Sequence, residues 1–135
     1  MRILFLGDIV GQPGVAFVKK ALPALVAHEH IDLVIANAEN ASGGSGLTRG
    51  AYRELRQAGI DLVTLGDHIY KRAEIISTLE KDDRICKPAN FPPEAPGRAA
   101  LIASAAATST VYTWSIVTSS WCPSMACSTS LLVSP

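Results

Sequence analysis

A chain of 135 residues, 48% of them apolar, is long enough for one domain with a real core. Its 12 Lys and Arg balance its 12 Asp and Glu, so net charge argues for neither nucleic acid nor a membrane surface as a bulk electrostatic partner. Three Cys (Cys86, Cys122, Cys127) without a CxxC pair argue against a disulfide scaffold or zinc ribbon, and the few apolar residues ahead of Asp8 are too short for a signal-peptide core; a reducing, cytoplasmic setting is expected.

The apolar run at residues 2–6 predicts a first buried strand, ending in Gly7-Asp8. Gly11-Gln12-Pro13-Gly14 reads as a turn, with Pro suited to the first helical position. A helix is predicted over 15–27, burying Phe17, Val18, Leu22, Leu25 and Val26, with Pro23 kinking or breaking it. His28 and His30 close this helix in a charged segment and read as surface residues. A second strand over 32–37 ends at Ala38-Glu39-Asn40 and runs into a Gly-rich loop at 41–46, equally suited to a flexible connector or to a phosphate approaching backbone N–H groups. Thr48 can cap a helix over 49–58, stopped by Gly59. A third strand over 62–65 ends at Gly66-Asp67-His68, and a helix over 71–79 follows. A short strand near 84–87, with Cys86 as a small apolar residue, feeds the Pro-rich stretch 88–93. Alternating strand and helix predict an α/β fold with parallel βαβ units and right-handed crossovers.

Every charged residue lies at or before Arg98, and residues 99–135 hold no Asp, Glu, Lys, Arg or His. Soluble domains carry about a quarter charged residues, so this stretch is abnormal for half of a folded domain. Ser and Thr interrupt its apolar runs too often for a membrane span, while Trp114 and Trp121 are odd in a linker. We therefore divide the chain into an organised part, 1–98, and an uncharged Ala/Ser/Thr-rich tail, 99–135, read as wrong-frame or disordered.

Three strands thus end in a small residue followed by a carboxylate. In parallel sheets, ligands bind outside the carboxyl ends of the strands, which would bring Asp8, Glu39, Asn40, Asp67 and His68 to one rim. Three carboxylates crowded there repel one another unless a cation neutralises them, and a pair of hard or borderline divalent metals is the natural answer. His68 is the side chain best matched to proton transfer near neutral pH. No Gly-Lys-Ser/Thr follows the glycines and no GxGxxG is spelled, so neither a P-loop nor a dinucleotide site is indicated.

Residues 2–11 (RILFLGDIVG), Ala38-Glu39-Asn40, Gly46-Leu47-Thr48, Gly66-Asp67-His68 and 87–92 (KPANFP) in combination resemble the YmdB-like bacterial phosphoesterases of the calcineurin-like metallophosphoesterase superfamily. The resemblance covers residues 1–97. It implies the N-terminal half of a four-layer α/β/β/α sandwich carrying two metal ions, iron or manganese, that hydrolyses phosphodiesters including 2′,3′-cyclic nucleotides. Carried over, Asp8 matches a ligand of the first metal, Glu39 the bridging carboxylate, Asn40 a further ligand of the first metal and Asp67 a ligand of the second. His68 matches the proton donor to the leaving oxygen. The partner implied is a small phosphodiester or nucleotide, with nucleic acid only as substrate and no membrane.

Two departures stand out. The family has Asn where this chain has Asp67, and it closes its site with C-terminal imidazoles including a His-x-His pair, whereas no His follows His68 here. The chain is expected to be inactive or nearly so, with a phosphate-binding module without catalysis, or a defective fragment, as the alternatives. A Gly-Asp-Ser esterase is set aside because Ile9 stands where its nucleophile would.

Overall fold

Residues 33–37 are Leu, Val, Ile, Ala and Asn, the composition of a strand covered on both faces, and 3–6 and 62–64 read alike. The computed structural model describes residues 1–107, 110–119 and 128–134, with side chains as far as Ile102. These runs form β1 (Ile3–Leu6), β2 (Leu33–Asn37) and β3 (Leu62–Thr64) of a parallel sheet completed by β4 (Ile85–Cys86). Spatial order follows chain order, β1-β2-β3-β4, with Ile3 opposite Leu33 and Ile35 opposite Leu62. The connections carry α1 (Gly11–Glu29), α2 (Arg49–Gln57) and α3 (Ile76–Lys81), the last entered through a 3₁₀ turn at Ala73–Ile75. The α/β class and parallel βαβ units are those expected.

Strand side chains alternate between faces, and here the alternation separates two cores. Leu4, Leu6, Val34, Ala36, Val63, Leu65 and Ile85 pack with Val15, Val18 and Leu22 of α1, Tyr52 and Leu55 of α2 and Leu79 of α3. The residues between them, Ile3, Leu33, Ile35, Leu62 and Cys86, form a second cluster on the other face, joined by Leu101. A sheet whose strands follow one another in space, joined by right-handed crossovers, places all its helices on one side. The opposite side receives β5 (Ala100–Ala107), first strand of an antiparallel sheet with β6 (Thr110–Ser119) and β7 (Ser128–Ser134). Cys86 is buried in its strand as expected; Trp121, Cys122 and Cys127 lie outside the described residues.

Several expectations need correction. The turn expected at residues 11–14 is instead the first turn of α1. The first N–H groups of a helix have no intrahelical partner, so Pro13 loses nothing there. Nor does Pro23 break α1, which continues to Glu29. Pro23 is exposed, on the side where the carbonyl it deprives of a donor can be hydrated. Phe17 (71% exposed) and Leu25 (40%) are not buried. Val15, Val18, Leu22 and Val26 define the inward stripe, and Phe17, two residues from Val15, points nearly opposite. The third helix begins later than predicted because residues 73–75 are wound as 3₁₀. Thr48 caps α2 as predicted, its hydroxyl accepting from Ala51 N–H at 3.2 Å.

The Pro-rich stretch is organised around a buried lysine. Lys87 is 2% exposed, and its ammonium donates to the carbonyls of Pro92 (2.8 Å), Pro93 (3.1 Å) and Ala95 (2.6 Å). Tyr70 closes the same turn, its hydroxyl donating to Pro96 O at 2.7 Å and its ring meeting Phe91 edge-on. Lys87→Met should cost about 3 kcal/mol or more in denaturant unfolding, because the substitution removes the donor shared by three carbonyls.

A second polar cluster ties α2 to the turn before β4. Burial opposes ionisation of Asp82, but hydrogen bonds from the Arg84 side chain, the Tyr52 hydroxyl (2.9 Å) and the Arg84 N–H outweigh it and hold the carboxyl below its ordinary 3.8. Burial, followed by the Asp82 hydrogen bond, pushes the Tyr52 phenol up. A depressed carboxylate stabilises the fold above its unfolded pKa and loses that contribution as pH falls through the folded value. Tyr52→Phe should therefore cost about 1 kcal/mol at neutral pH, and the gap from wild type should narrow in unfolding titrations between about pH 5 and about pH 2.

Candidate metal centre

The carboxyl ends of β1, β2 and β3 are laced together by backbone hydrogen bonds. Ile9 N–H donates to Asn37 O (3.0 Å), Ala38 N–H to Thr64 O (3.1 Å) and Gly11 N–H to Asn40 O (2.9 Å). Each bond carries the segment after one strand onto the next, so side chains distant in sequence meet at one rim. This is where the strand–carboxylate pattern placed the site.

Glu39, Asp67 and His68 offer ligand atoms that all lie within 4.8 Å of one another. Asp8 and Asn40 join them through a chain of hydrogen bonds. The Asn40 amide nitrogen donates to both Asp8 carboxylate oxygens at 3.0 Å, while its carbonyl oxygen lies 2.6 Å from His68 Nδ1. An amide oxygen can only accept, so Nδ1 carries the proton and Nε2 is turned to the rest of the site. Nε2 lies 3.8 Å from Asp67 Oδ2. All five residues named from the sequence are thus brought into one connected cluster, with Asn40 as the link between Asp8 and the imidazole.

Glu39 is the buried member, 8% exposed, whereas Asp8 and Asp67 are exposed. Its carboxylate accepts the His68 backbone N–H at 3.1 Å. Burial pushes the Glu39 carboxyl above its usual range; the His68 N–H opposes this, and the negative charges of Asp67 and Asp8 add to the rise. A buried carboxylate with two further carboxylates beside it and an imidazole in reach is a donor set that suits a hard or borderline cation.

Gly66 makes that burial feasible. A Cβ built on it would collide with Oε1, Oε2 and Cδ of Glu39, so the carboxylate lies directly against the bare backbone. The Gly-rich loop beside the site is likewise built on glycine, with Gly43 (φ 68°), Gly44 (φ 80°) and Gly46 (φ 83°) in the left-handed region. Arg72 holds this loop, its guanidinium donating to Ser45 O and Ser42 O at 3.3 Å each. Sequence reasoning missed Arg72 and left the part played by Lys87 undecided. For Arg72 no local pattern announces a contact made some thirty residues away; for Lys87 the one signal was a cation wedged between an apolar strand and a proline.

The profile of YmdB-like proteins matches residues 4–129. The chain belongs to the YmdB-like family. A relative from Bacillus subtilis (strain 168), named 2′,3′-cyclic-nucleotide 2′-phosphodiesterase, is 42% identical over 98 residues, covering 73% of this chain and 37% of that protein. The crystal structure of a hypothetical protein from Thermus thermophilus superposes with a TM-score of 0.74 at 40% identity, covering 84% of this chain and 43% of the other. That of a novel phosphatase from Mycoplasma pneumoniae gives 0.69 at 29% identity, covering 76% and 40%. The chain therefore spans less than half the length of these proteins. No helix among the described residues is long and apolar enough to cross a membrane.

Gly66→Ala should force the Glu39 carboxylate out of its place. Unfolding should show a loss of about 1–3 kcal/mol, and Mn²⁺ affinity measured by calorimetry should fall at least about tenfold.

Proposed function

We propose that this chain carries the carboxylate-rich side of a metal-dependent phosphodiesterase site, acting on small phosphodiesters such as 2′,3′-cyclic nucleotides. The observation that carries the reading is the convergence of Glu39, Asp67 and His68 with the Asp8–Asn40–His68 hydrogen-bond chain. The name of the Bacillus subtilis relative supports the substrate class.

Asp8, Glu39 and Asp67 would hold the metal, with Asn40 as a further ligand of the first ion and Glu39 between two ions. Iron or manganese would suit this oxygen-rich set, and when bound would supply Lewis-acid polarisation of the phosphoryl group and a nucleophilic water at neutral pH. The chain's own proton chemistry rests on His68. With Nδ1–H donated to the Asn40 amide oxygen, the ring is fixed in orientation and a second proton sits on Nε2 in the imidazolium form. As the water oxygen bonds to phosphorus and the P–O ester bond breaks, that Nε2 proton passes to the departing oxygen. Asp67 Oδ2 lies 3.8 Å from that Nε2.

Asp67 adds a full negative charge where the family pattern has a neutral amide. It should tighten cation binding and make bound water less acidic. No His follows His68 in these 135 residues, and His28 and His30 lie at the C-terminal end of α1, so the rim receives one imidazole. We therefore read the chain as a metal binder with little or no turnover of its own. A cytoplasmic setting goes with this reading, with nucleic acid entering only as substrate.

The deciding experiment combines calorimetry with Mn²⁺ and a hydrolysis assay on 2′,3′-cyclic AMP. Mn²⁺ should bind, EDTA should reverse it, and Asp8→Asn or Glu39→Gln should each abolish it; absence of binding would remove the metal reading. Any measurable turnover should drop about 10²–10⁴-fold in His68→Ala with metal affinity nearly intact. Vigorous metal-dependent turnover by the wild-type chain would refute the claim of near inactivity.

A further inference from the structure

A cavity of about 590 Å³ opens between α2, α3 and the turn leading to β4, and shares no residue with the carboxylate cluster. Cations dominate its lining: Arg49 and Arg53 from α2, Lys81 from α3, and Arg98 from the segment bridged to Cys86. Asp82 and Arg84 also line it but neutralise each other, with Asp82 Oδ1 3.1 Å from Arg84 Nε. That leaves Asp83 as the one uncommitted carboxylate of the lining. Among the described residues, no carboxylate lies within ion-pair distance of the side chains of Arg49, Arg53, Lys81 or Arg98.

These cations stand where they weaken the fold. Arg49 occupies the first turn of α2, where its charge opposes the helix dipole, a cost that the Glu74 carboxylate, accepting the Arg49 N–H at 3.2 Å, offsets only in part. Arg49 and Arg53 are an i,i+4 pair of like charge. On the side of α2 turned to α1 the arrangement is the ordinary one, with Glu54 paired to Lys19 at 2.8 Å. Unpaired charge gathered on one side of a helix, against local electrostatics, is explained by an anion that neutralises it.

We propose that this groove binds a small polyphosphorylated anion. Four cations against Asp83 leave an excess of three positive charges, close to the charge of about −3 to −4 on a pair of linked phosphates. Arginine forks match phosphate oxygens two at a time, and the Thr78 hydroxyl adds a neutral donor. The volume suits a ligand of nucleotide size. Tyr52 is buried with its hydroxyl committed to Asp82, so it presents no open ring for a base, and recognition rests on the phosphates.

The test is calorimetric titration of the purified full chain with sodium pyrophosphate, in EDTA and at low ionic strength so that the carboxylate cluster is metal-free. One site per chain is expected, weakening as salt rises. Arg53→Ala/Lys81→Ala should weaken it at least tenfold, while Asp8→Asn should leave it unchanged. Absence of binding, binding that survives the double substitution, or loss in Asp8→Asn would overturn the proposal. If the double variant does not fold by circular dichroism, Arg53→Gln and Lys81→Gln serve singly, and an undiminished affinity in both overturns it equally. None of these outcomes depends on whether the other site binds metal or hydrolyses anything.

Discussion

β2 is buried along its whole length, on both faces and both edges, and the rest of the molecule is arranged by that fact. Its edges are taken by β1 and β3, one face by the helices, and the other by the cluster that reaches Leu101. A strand so enclosed cannot slip by one residue without exchanging its two apolar sets, so its end is fixed in space. Asn37 O receives Ile9 N–H, Ala38 N–H is given to Thr64 O, and Glu39 is left facing the rim with its carboxylate against Gly66. The position of the candidate metal centre is thus set by packing that has no chemistry in it.

The two sides of the helical layer use charge differently. At the rim, burial first, and then the charges of Asp67 and Asp8, push the Glu39 carboxyl above its usual range. Along α2 it is arginines that crowd. Within the same groove lies Tyr52–Asp82–Arg84, where opposite charges and a phenol satisfy one another. That satisfied cluster stabilises the fold; the two frustrated ones point to ligands.

Most of the fold was legible because periodicity is local. Strands end where the apolar run meets Gly-Asp, Ala-Glu or Gly-Asp-His, and Thr48 announces α2. The five rim residues followed from a topological rule, without knowing any distance. Errors arose where one residue's reputation was weighed without its surroundings. Pro23 was expected to kink or break α1, and the break is absent because on an exposed face water replaces the lost bond. Phe17 was assigned to the core for its size, although its angle on the helix points outward. Asn40 stands apart from these: the sequence named it for the rim, and held no sign that its amide would also join Asp8 to His68. Arg72 and Lys87 lay beyond reach, since both act on backbone carbonyls that only the folded loops assemble.

The unbroken spatial order β1-β2-β3-β4 also bears on how the chain is born. Each of these strands pairs with the one synthesised just before it, across a connection that carries one helix. No strand waits for a later segment to be inserted between two existing neighbours, so loop closures stay short and the entropy of search stays low. The sheet can therefore grow in the direction of translation, one strand and one helix at a time. The rim acquires Asp8, then Glu39 and Asn40, then Asp67 and His68, in the order in which they leave the ribosome.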